Sequence, residues 1–200
     1  MFSQERLHYF YLYISCSAIF FMLGLAVCYL LPQDSSIYIS IQNKVTDTVY
    51  GCSSFSISSV IASFTQETKF VLFAFIATFC IHRHSIFFVL NAYKGISSGI
   101  CTSCFLRIVK NGIINARFEV FGCFIFTALS VVSVCLLCLY CAHSIIYSKK
   151  LMYPVKLKST LKRKDTIAYI FDTLAFSGAV LIIILLKHGN LLVTVSSKGM

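Results

Sequence analysis

Charged residues are scarce in this sequence. They make up 12% of its 200 residues, against 58% apolar residues, and the mean hydropathy is +0.84. Ordinary soluble domains carry about 25% charged residues, because their surface faces water. Trp is absent, and the aromatic residues are 19 Phe and 11 Tyr, which suit lipid contact and the membrane interface. The composition excludes an ordinary soluble domain and indicates a protein that lies mainly in a lipid bilayer.

The sequence also lacks the common signatures of catalysis. It has no Gly-rich phosphate loop, no Gly-x-Ser-x-Gly elbow, no His-Glu-x-x-His and no Cys-x-x-Cys-His haem site. Its five His residues show no paired metal-ligand spacing. We therefore expect no enzymatic activity, no metal and no cofactor.

Basic residues are concentrated in one segment. The formal net charge is +10, and seven of the 17 basic residues lie at 149–165, between two long apolar runs. These seven are Lys149, Lys150, Lys156, Lys158, Lys162, Arg163 and Lys164. By the positive-inside rule a short loop of this kind lies in the cytoplasm, so the charge indicates membrane topology and not nucleic-acid binding.

Apolar runs predict the membrane-spanning helices. One crossing of a bilayer needs about 20 mostly apolar residues. We predict an all-α fold, a polytopic transmembrane helical bundle in a single membrane domain, with spans at about 10–31, 70–91, 95–110, 120–147 and 167–186. The first run is too long for the apolar core of a signal peptide, so we expect it to be retained as a span.

Counting from the cytoplasmic loop puts the N-terminus inside and the C-terminus outside. The segment 35–69 then lies outside, and its apolar residues have the spacing of two short amphipathic helices on the membrane surface. Pro32 and Ser35 predict a helix stop and a helix cap before this segment. The same count leaves three basic residues outside, against the positive-inside rule: Arg107, Lys110 and Arg117.

A polar triplet interrupts the apolar region 70–91. It consists of His82, Arg83 and His84. One interpretation is a single span in which Arg83 is buried against protein, and the other is a broken or re-entrant pair of helices with the triplet at its tip. Periodicity does not choose between them.

Asp172 lies inside the last apolar run. A carboxylate in that position needs a partner, so we expect it to face the bundle. It is either a proton or ion site, or a structural group that pairs with Arg83 or Lys94 or reaches the cytoplasmic interface, and we favour the structural interpretation.

Small residues recur every four positions in the third predicted span. They are Gly95, Gly99 and Ser103, and such a stripe allows two helices to approach closely in a membrane. We favour a contact within the chain over a homo-oligomer interface, which stays possible.

Two cysteines have the spacing of a redox pair, Cys101 and Cys104. A membrane thiol oxidoreductase would need such a pair and normally a second one outside the membrane, where the sequence offers only Cys52. We expect most of the ten Cys residues to act as small apolar side chains.

The stretch Asn-Ala-Tyr-Lys-Gly-Ile-Ser-Ser-Gly-Ile-Cys-Thr-Ser at 91–103, followed by Gly112 and Ile113, resembles stage II sporulation protein M and its relatives. In that family an apolar span runs into a Tyr-Lys-Gly helix with a small-residue stripe, here Tyr93, Lys94 and Gly95. The order of spans is also similar, although this chain has His82 to His84 where small residues are expected.

The resemblance implies a membrane scaffold without catalytic activity. In endospore-forming bacteria it would hold the peptidoglycan-degrading sporulation proteins D and P at the engulfing membrane, with 35–69 as the outer contact segment. The main rival hypothesis is a small transporter or channel subunit with a polar cavity around Arg83, Lys94 and Asp172. The third is a thiol oxidoreductase that uses Cys101 and Cys104.

Overall fold

The computed structural model describes residues 4–51, 57–110, 117–152 and 159–196. In these ranges the chain forms the helices α1 (Gln4–Leu30), α2 (Ser36–Gly51), α3 (Ile57–Thr78), α4 (Arg83–Lys110), α5 (Arg117–Met152) and α6 (Ser159–Ser196). No strand occurs in this part of the chain, and the predicted all-α fold is confirmed. Five residues named above lie outside the described residues: Cys52, Gly112, Ile113, Lys156 and Lys158.

Four stretches of helix are long and apolar enough to cross a membrane. They are Gln4–Leu30, Val60–Thr78, Phe124–Lys149 and Asp165–Lys187. Helix α4 has 28 residues and a length of about 42 Å, which would also span a bilayer, but its polar residues lower its hydropathy. Where five spans were predicted, the described residues thus supply four candidates, and the fold is compatible with a multi-pass membrane protein.

The region 70–91 is not a single helix. Helix α3 ends at Thr78, and residues 79–82 form a turn in which the amides of Phe79 and Cys80 bond to carbonyls of the last turn of α3 at 3.1 and 3.0 Å. The structure therefore has the predicted broken pair of helices. The other interpretation, a single span with Arg83 in its middle, is wrong. The predicted separate span at 95–110 is wrong as well, because α4 runs without interruption from Arg83 to Lys110.

The segment 35–69 also differs from its prediction. Its first half is the separate helix α2, and Ser35 caps this helix by accepting a hydrogen bond from the Tyr38 amide at 3.2 Å. Its second half belongs to α3, which begins at Ile57 and continues into the apolar region. The four polar residues at 66–69 hid this continuity, because they interrupt the run of apolar side chains without breaking the helix.

Helices α1 and α4 run parallel and make backbone contact at glycines. Gly95 lies against the backbone of Ser17, and Gly99 lies against the backbone of Phe21. On the other helix, Gly24 lies against the backbone of Ile96. Helices approach this closely only where no side chain separates them. The predicted contact within the chain is therefore confirmed for the small-residue stripe.

Tyr169 of α6 connects three helices in the core. Its ring stacks on Tyr147 of α5 at 4.1 Å between centroids. Its hydroxyl lies 2.8 Å from the Thr78 hydroxyl, 2.7 Å from that of Ser144 and 3.2 Å from that of Tyr140. These bonds satisfy hydroxyls that would otherwise be costly inside an apolar bundle.

Arg107 of α4 closes the C-terminal end of α1. Its guanidinium donates to the Leu31 carbonyl at 3.1 Å and to the Tyr29 carbonyl, which lie where a helix end leaves its acceptors unpaired. It also lies 5.2 Å from the ring of Tyr38 of α2. Burial raises the pKa of the Tyr38 phenol above its ordinary value, because it disfavours the charged form. The cap gives a structural reason for a basic residue that the positive-inside rule does not explain.

One end of the bundle contains the start of α1, the α3–α4 turn, the end of α5 and the start of α6. The Tyr9 ring lies 5.6 Å from the His84 ring and 4.9 Å from the Lys149 ammonium. The Tyr147 hydroxyl donates to the Thr166 hydroxyl at 3.1 Å. The Lys-rich segment 149–165 therefore begins and ends at this end.

We expect Gly99→Ala to destabilise the protein. The added methyl group would overlap the carbonyl oxygen of Phe21, so α1 and α4 must separate, at a cost of about 2–3 kcal/mol. The measurement is thermal unfolding in detergent. It is monitored through the reaction of a thiol-reactive dye with buried thiols such as Cys138.

Gly178→Ala in α6 is the matched control. No atom lies within 4 Å of the added methyl group, so this change should leave stability the same or raise it by up to about 1 kcal/mol. Equal unfolding temperatures for the two variants would contradict the proposed contact.

Candidate binding cleft

A polar cleft opens between α3, α4, α5 and α6. Its volume is about 620 Å³, within the range of small-molecule sites. Its charged lining residues are Glu67, Lys69, Lys94 and Lys187. Its uncharged polar lining residues are Ser63, Gln66, Ser97, Ser98 and Ser130, and its aromatic ones are Phe70, Phe73, Tyr93 and Phe126. The cleft thus combines positive charge, hydrogen-bonding groups and aromatic walls.

An ion pair between Glu67 of α3 and Lys94 of α4 lies at the inner wall of the cleft. The Lys94 ammonium donates to the Glu67 carboxylate, and their side chains are 9% and 21% exposed. The Ser133 hydroxyl of α5 donates to the same carboxylate at 3.2 Å, and the Phe70 ring lies 4.8 Å from the ammonium. Each charge therefore has a partner, as burial among apolar helices requires.

Lys187 of α6 brings a further positive charge to the cleft. Its ammonium lies 5.1 Å from the Phe126 ring and interacts electrostatically with Glu67. Among the described residues, the lining carries three lysines and one glutamate, a formal excess of two positive charges, and Lys69 is the exposed one of the three lysines. A bound anion would neutralise this excess.

The residues of the Tyr-Lys-Gly motif and of the small-residue stripe lie in three different environments. Tyr93 is exposed at the rim of the cleft, Lys94 lies inside the cleft, and Gly95 and Gly99 contact α1. Ser103 is buried further along α4. Successive residues point in different directions on a helix, so one short motif serves both packing and the cleft.

The predicted cavity around Arg83, Lys94 and Asp172 does not form. Arg83 begins α4 at the end of the bundle that also holds Lys149, whereas Lys94 is three turns further along. Asp172 pairs with His143 of α5 at 3.0 Å, and its side chain is 52% exposed. The expected pairing of Asp172 with Arg83 or Lys94 is thus wrong, because a histidine on the neighbouring helix lies closer.

The eight cysteines whose side chains the structure describes form no disulfide. Cys101 lies in the cleft wall, whereas Cys104 is buried beside Cys28. The Cys138 thiol of α5 donates to the Asn91 side-chain oxygen of α4 at 3.1 Å. Most described thiols are thus packed inside the bundle, as expected for small apolar side chains.

Sequence reasoning missed Glu67 and Lys187. The predicted outer segment 35–69 contains Glu67, and Lys187 directly follows the predicted last span 167–186. The available signal was the helical spacing of the apolar residues Val60, Ile61 and Phe64. They belong to α3 together with Glu67, which places Glu67 inside a candidate span. No signal in the sequence pairs Glu67 with Lys94, because they are 27 residues apart on different helices.

Comparisons of the chain with protein-family models, with curated proteins and with solved structures found no match. The resemblance to stage II sporulation protein M therefore stays a prediction.

Glu67→Gln should destabilise the protein by about 2–3 kcal/mol, because it leaves the Lys94 ammonium buried without its counter-charge. The measurement is again the temperature at which buried thiols become reactive in detergent. The double variant Glu67→Gln/Lys94→Met removes both charges and should recover at least half of the loss. If the double variant were less stable than Glu67→Gln, the ion pair would not be the cause.

Proposed function

We propose that the chain is a multi-pass protein of the cell membrane that binds a small organic anion in the cleft and carries it across the bilayer. The observation that carries this proposal is the excess of lysine over glutamate in the cleft, beside aromatic walls. A buried ammonium in a medium of low polarity needs a counter-charge, and Glu67 can neutralise only one of the lysines.

The depth of the cleft supports a carrier. Lys94 is 11 residues from the start of α4 at Arg83, which corresponds to about 16 Å along the helix axis. Glu67 is equally far from the end of α3 at Thr78. With the α3–α4 turn at one membrane surface, the ion pair lies near the bilayer midplane, where carriers bind their substrates.

Flux measurements test this proposal with benzenesulfonate, an aromatic anion that does not cross lipid by itself. Protein reconstituted into vesicles should release preloaded benzenesulfonate, and Lys187→Met should slow this release about 10- to 100-fold, since it removes a charged hydrogen-bond donor.

Two controls accompany the flux experiment. Lys110→Met removes an exposed lysine that does not line the cleft, and it should release the anion at the original rate. Benzyltrimethylammonium, a cation of similar size, should stay inside the vesicles. Release of both ions at equal rates, or an unchanged rate in Lys187→Met, would contradict an anion carrier.

We also propose that the N-terminus and the Lys-rich segment 149–165 lie in the cytoplasm. The clustering of Lys149 and the start of α1 at one end, together with the positive-inside rule, supports this orientation. With α4 as a fifth crossing, the C-terminus lies outside.

Cys80 in the α3–α4 turn provides a test of orientation. It is partly exposed at the cytoplasmic end in this proposal, so a membrane-impermeant maleimide should label it only after the cells are opened. The Cys80→Ser variant is the control, because it should lose the labelling that comes from Cys80 and keep any labelling of the other cysteines. Labelling of Cys80 in intact cells would reverse the orientation.

The scaffold for sporulation proteins D and P stays a second hypothesis. Helix α2 supports it, since α2 lies outside the four candidate spans and exposes Ile37 and Ile39. A scaffold needs no anion in the cleft. If the Lys187→Met variant recovers wall-degrading proteins as well as the original chain does, this result favours the scaffold over the carrier.

A further inference from the structure

We propose that the anion is a membrane lipid with an anionic headgroup, which enters the cleft from the bilayer through the gap rimmed by the exposed side chains of Phe73, Val89 and Tyr93. This inference rests on the proposed function, because it identifies the substrate class of the same cleft.

The cleft opens sideways, toward the region where lipid lies. Its rim carries Phe73 of α3 with Val89 and Tyr93 of α4, and each of these side chains is more than half exposed. Phe73 belongs to the candidate span Val60–Thr78, so this opening lies at the depth of the lipid tails. A lipid already lies beside this rim, and its acyl chains match the apolar side chains there.

The charges of the cleft are arranged for a headgroup. Lys69 is exposed at the rim, and Lys94 and Lys187 lie further inside. A lysine near a membrane surface attracts anionic lipid by about 1 kcal/mol, and the attraction is larger where less water screens it. The hydroxyls of Ser97 and Ser98 add hydrogen-bond donors for phosphate oxygens.

The volume of the cleft fits part of a lipid. About 620 Å³ suits a ligand of drug size, which corresponds to a headgroup with the beginning of its acyl chains. The aromatic walls Phe70 and Phe126 can pack against those chains, while the rest of the lipid stays among its neighbours in the bilayer. One amphiphilic ligand would thus contact the apolar rim, the aromatic walls and the lysines.

A fluorescence experiment tests the lipid directly. The chain contains no Trp, so Tyr93→Trp places a single reporter at the rim. The protein is placed in nanodiscs, one copy in each, with increasing fractions of a lipid whose acyl chains carry bromine, which quenches Trp on contact. We compare brominated phosphatidylglycerol, which is anionic, with brominated phosphatidylcholine of the same chains, which is zwitterionic.

Phosphatidylglycerol should reach half-quenching of the Tyr93→Trp reporter at an approximately fivefold lower mole fraction than phosphatidylcholine. Ile19→Trp is the matched control, since Ile19 is 65% exposed on α1 at a similar depth and does not line the cleft. The two lipids should quench this control alike. Adding Lys187→Met to the Tyr93→Trp variant should abolish the preference.

Three results would overturn the lipid as substrate. The first is equal quenching of the Tyr93→Trp reporter by the two lipids. The second is a preference that survives Lys187→Met, because surface charge alone would then explain it. The third is weaker quenching by both lipids than in Ile19→Trp, since another protein surface would then cover the gap. Benzenesulfonate release is a separate measurement, so the carrier can hold when the lipid fails.

Discussion

The polar side chains of α4 constrain the rest of this fold. Asn91 and Lys94 would be very costly against lipid without partners, so the other helices must surround them. Helix α1 packs its backbone against the glycine side of α4, while α5 brings Cys138 to Asn91 and α3 brings Glu67 to Lys94. Helix α4 therefore packs against α1, α3 and α5 although it is the least apolar of the long helices, and it still exposes Val89 and Tyr93. The apolar helices around it supply the surface that lipid can cover.

The cleft follows from the same arrangement. On its glycine side, α4 meets α1 so closely that no space remains, whereas other side chains of α4 line the cleft together with residues of α3, α5 and α6. The Glu67–Lys94 pair joins α3 and α4 at the inner wall of the cleft, and Glu67 also interacts electrostatically with Lys187. Pairs of buried charges contribute little to stability compared with apolar packing of the same volume, so a bundle selected for stability alone would gain nothing from them. The excess positive charge and the open side are therefore the features on which the proposed anion binding rests.

Local patterns predicted the parts of the fold that depend on neighbours along one helix. The stop and cap around Pro32 and Ser35 depend on a few adjacent residues, and the stripe of Gly95 and Gly99 depends on helical spacing alone. The helix break near His82 was one of two interpretations, because an apolar run with a polar centre has the same composition whether it turns or continues. The predicted span begins at residue 70 whereas α3 begins at Ile57, because the polar residues at 66–69 lie in mid-helix beside the cleft and their hydropathy resembles that of the outer segment.

The sequence by itself determined that this chain is helical and that most of its helices belong in a bilayer, because length and apolar content decide both. It also determined which face of α4 permits close contact, since only residues without large side chains allow it. The tertiary structure alone decided which charges meet. Glu67 and Lys94 became partners and Asp172 turned to His143 because helices distant along the chain pack side by side, and no spacing within one helix contains that information.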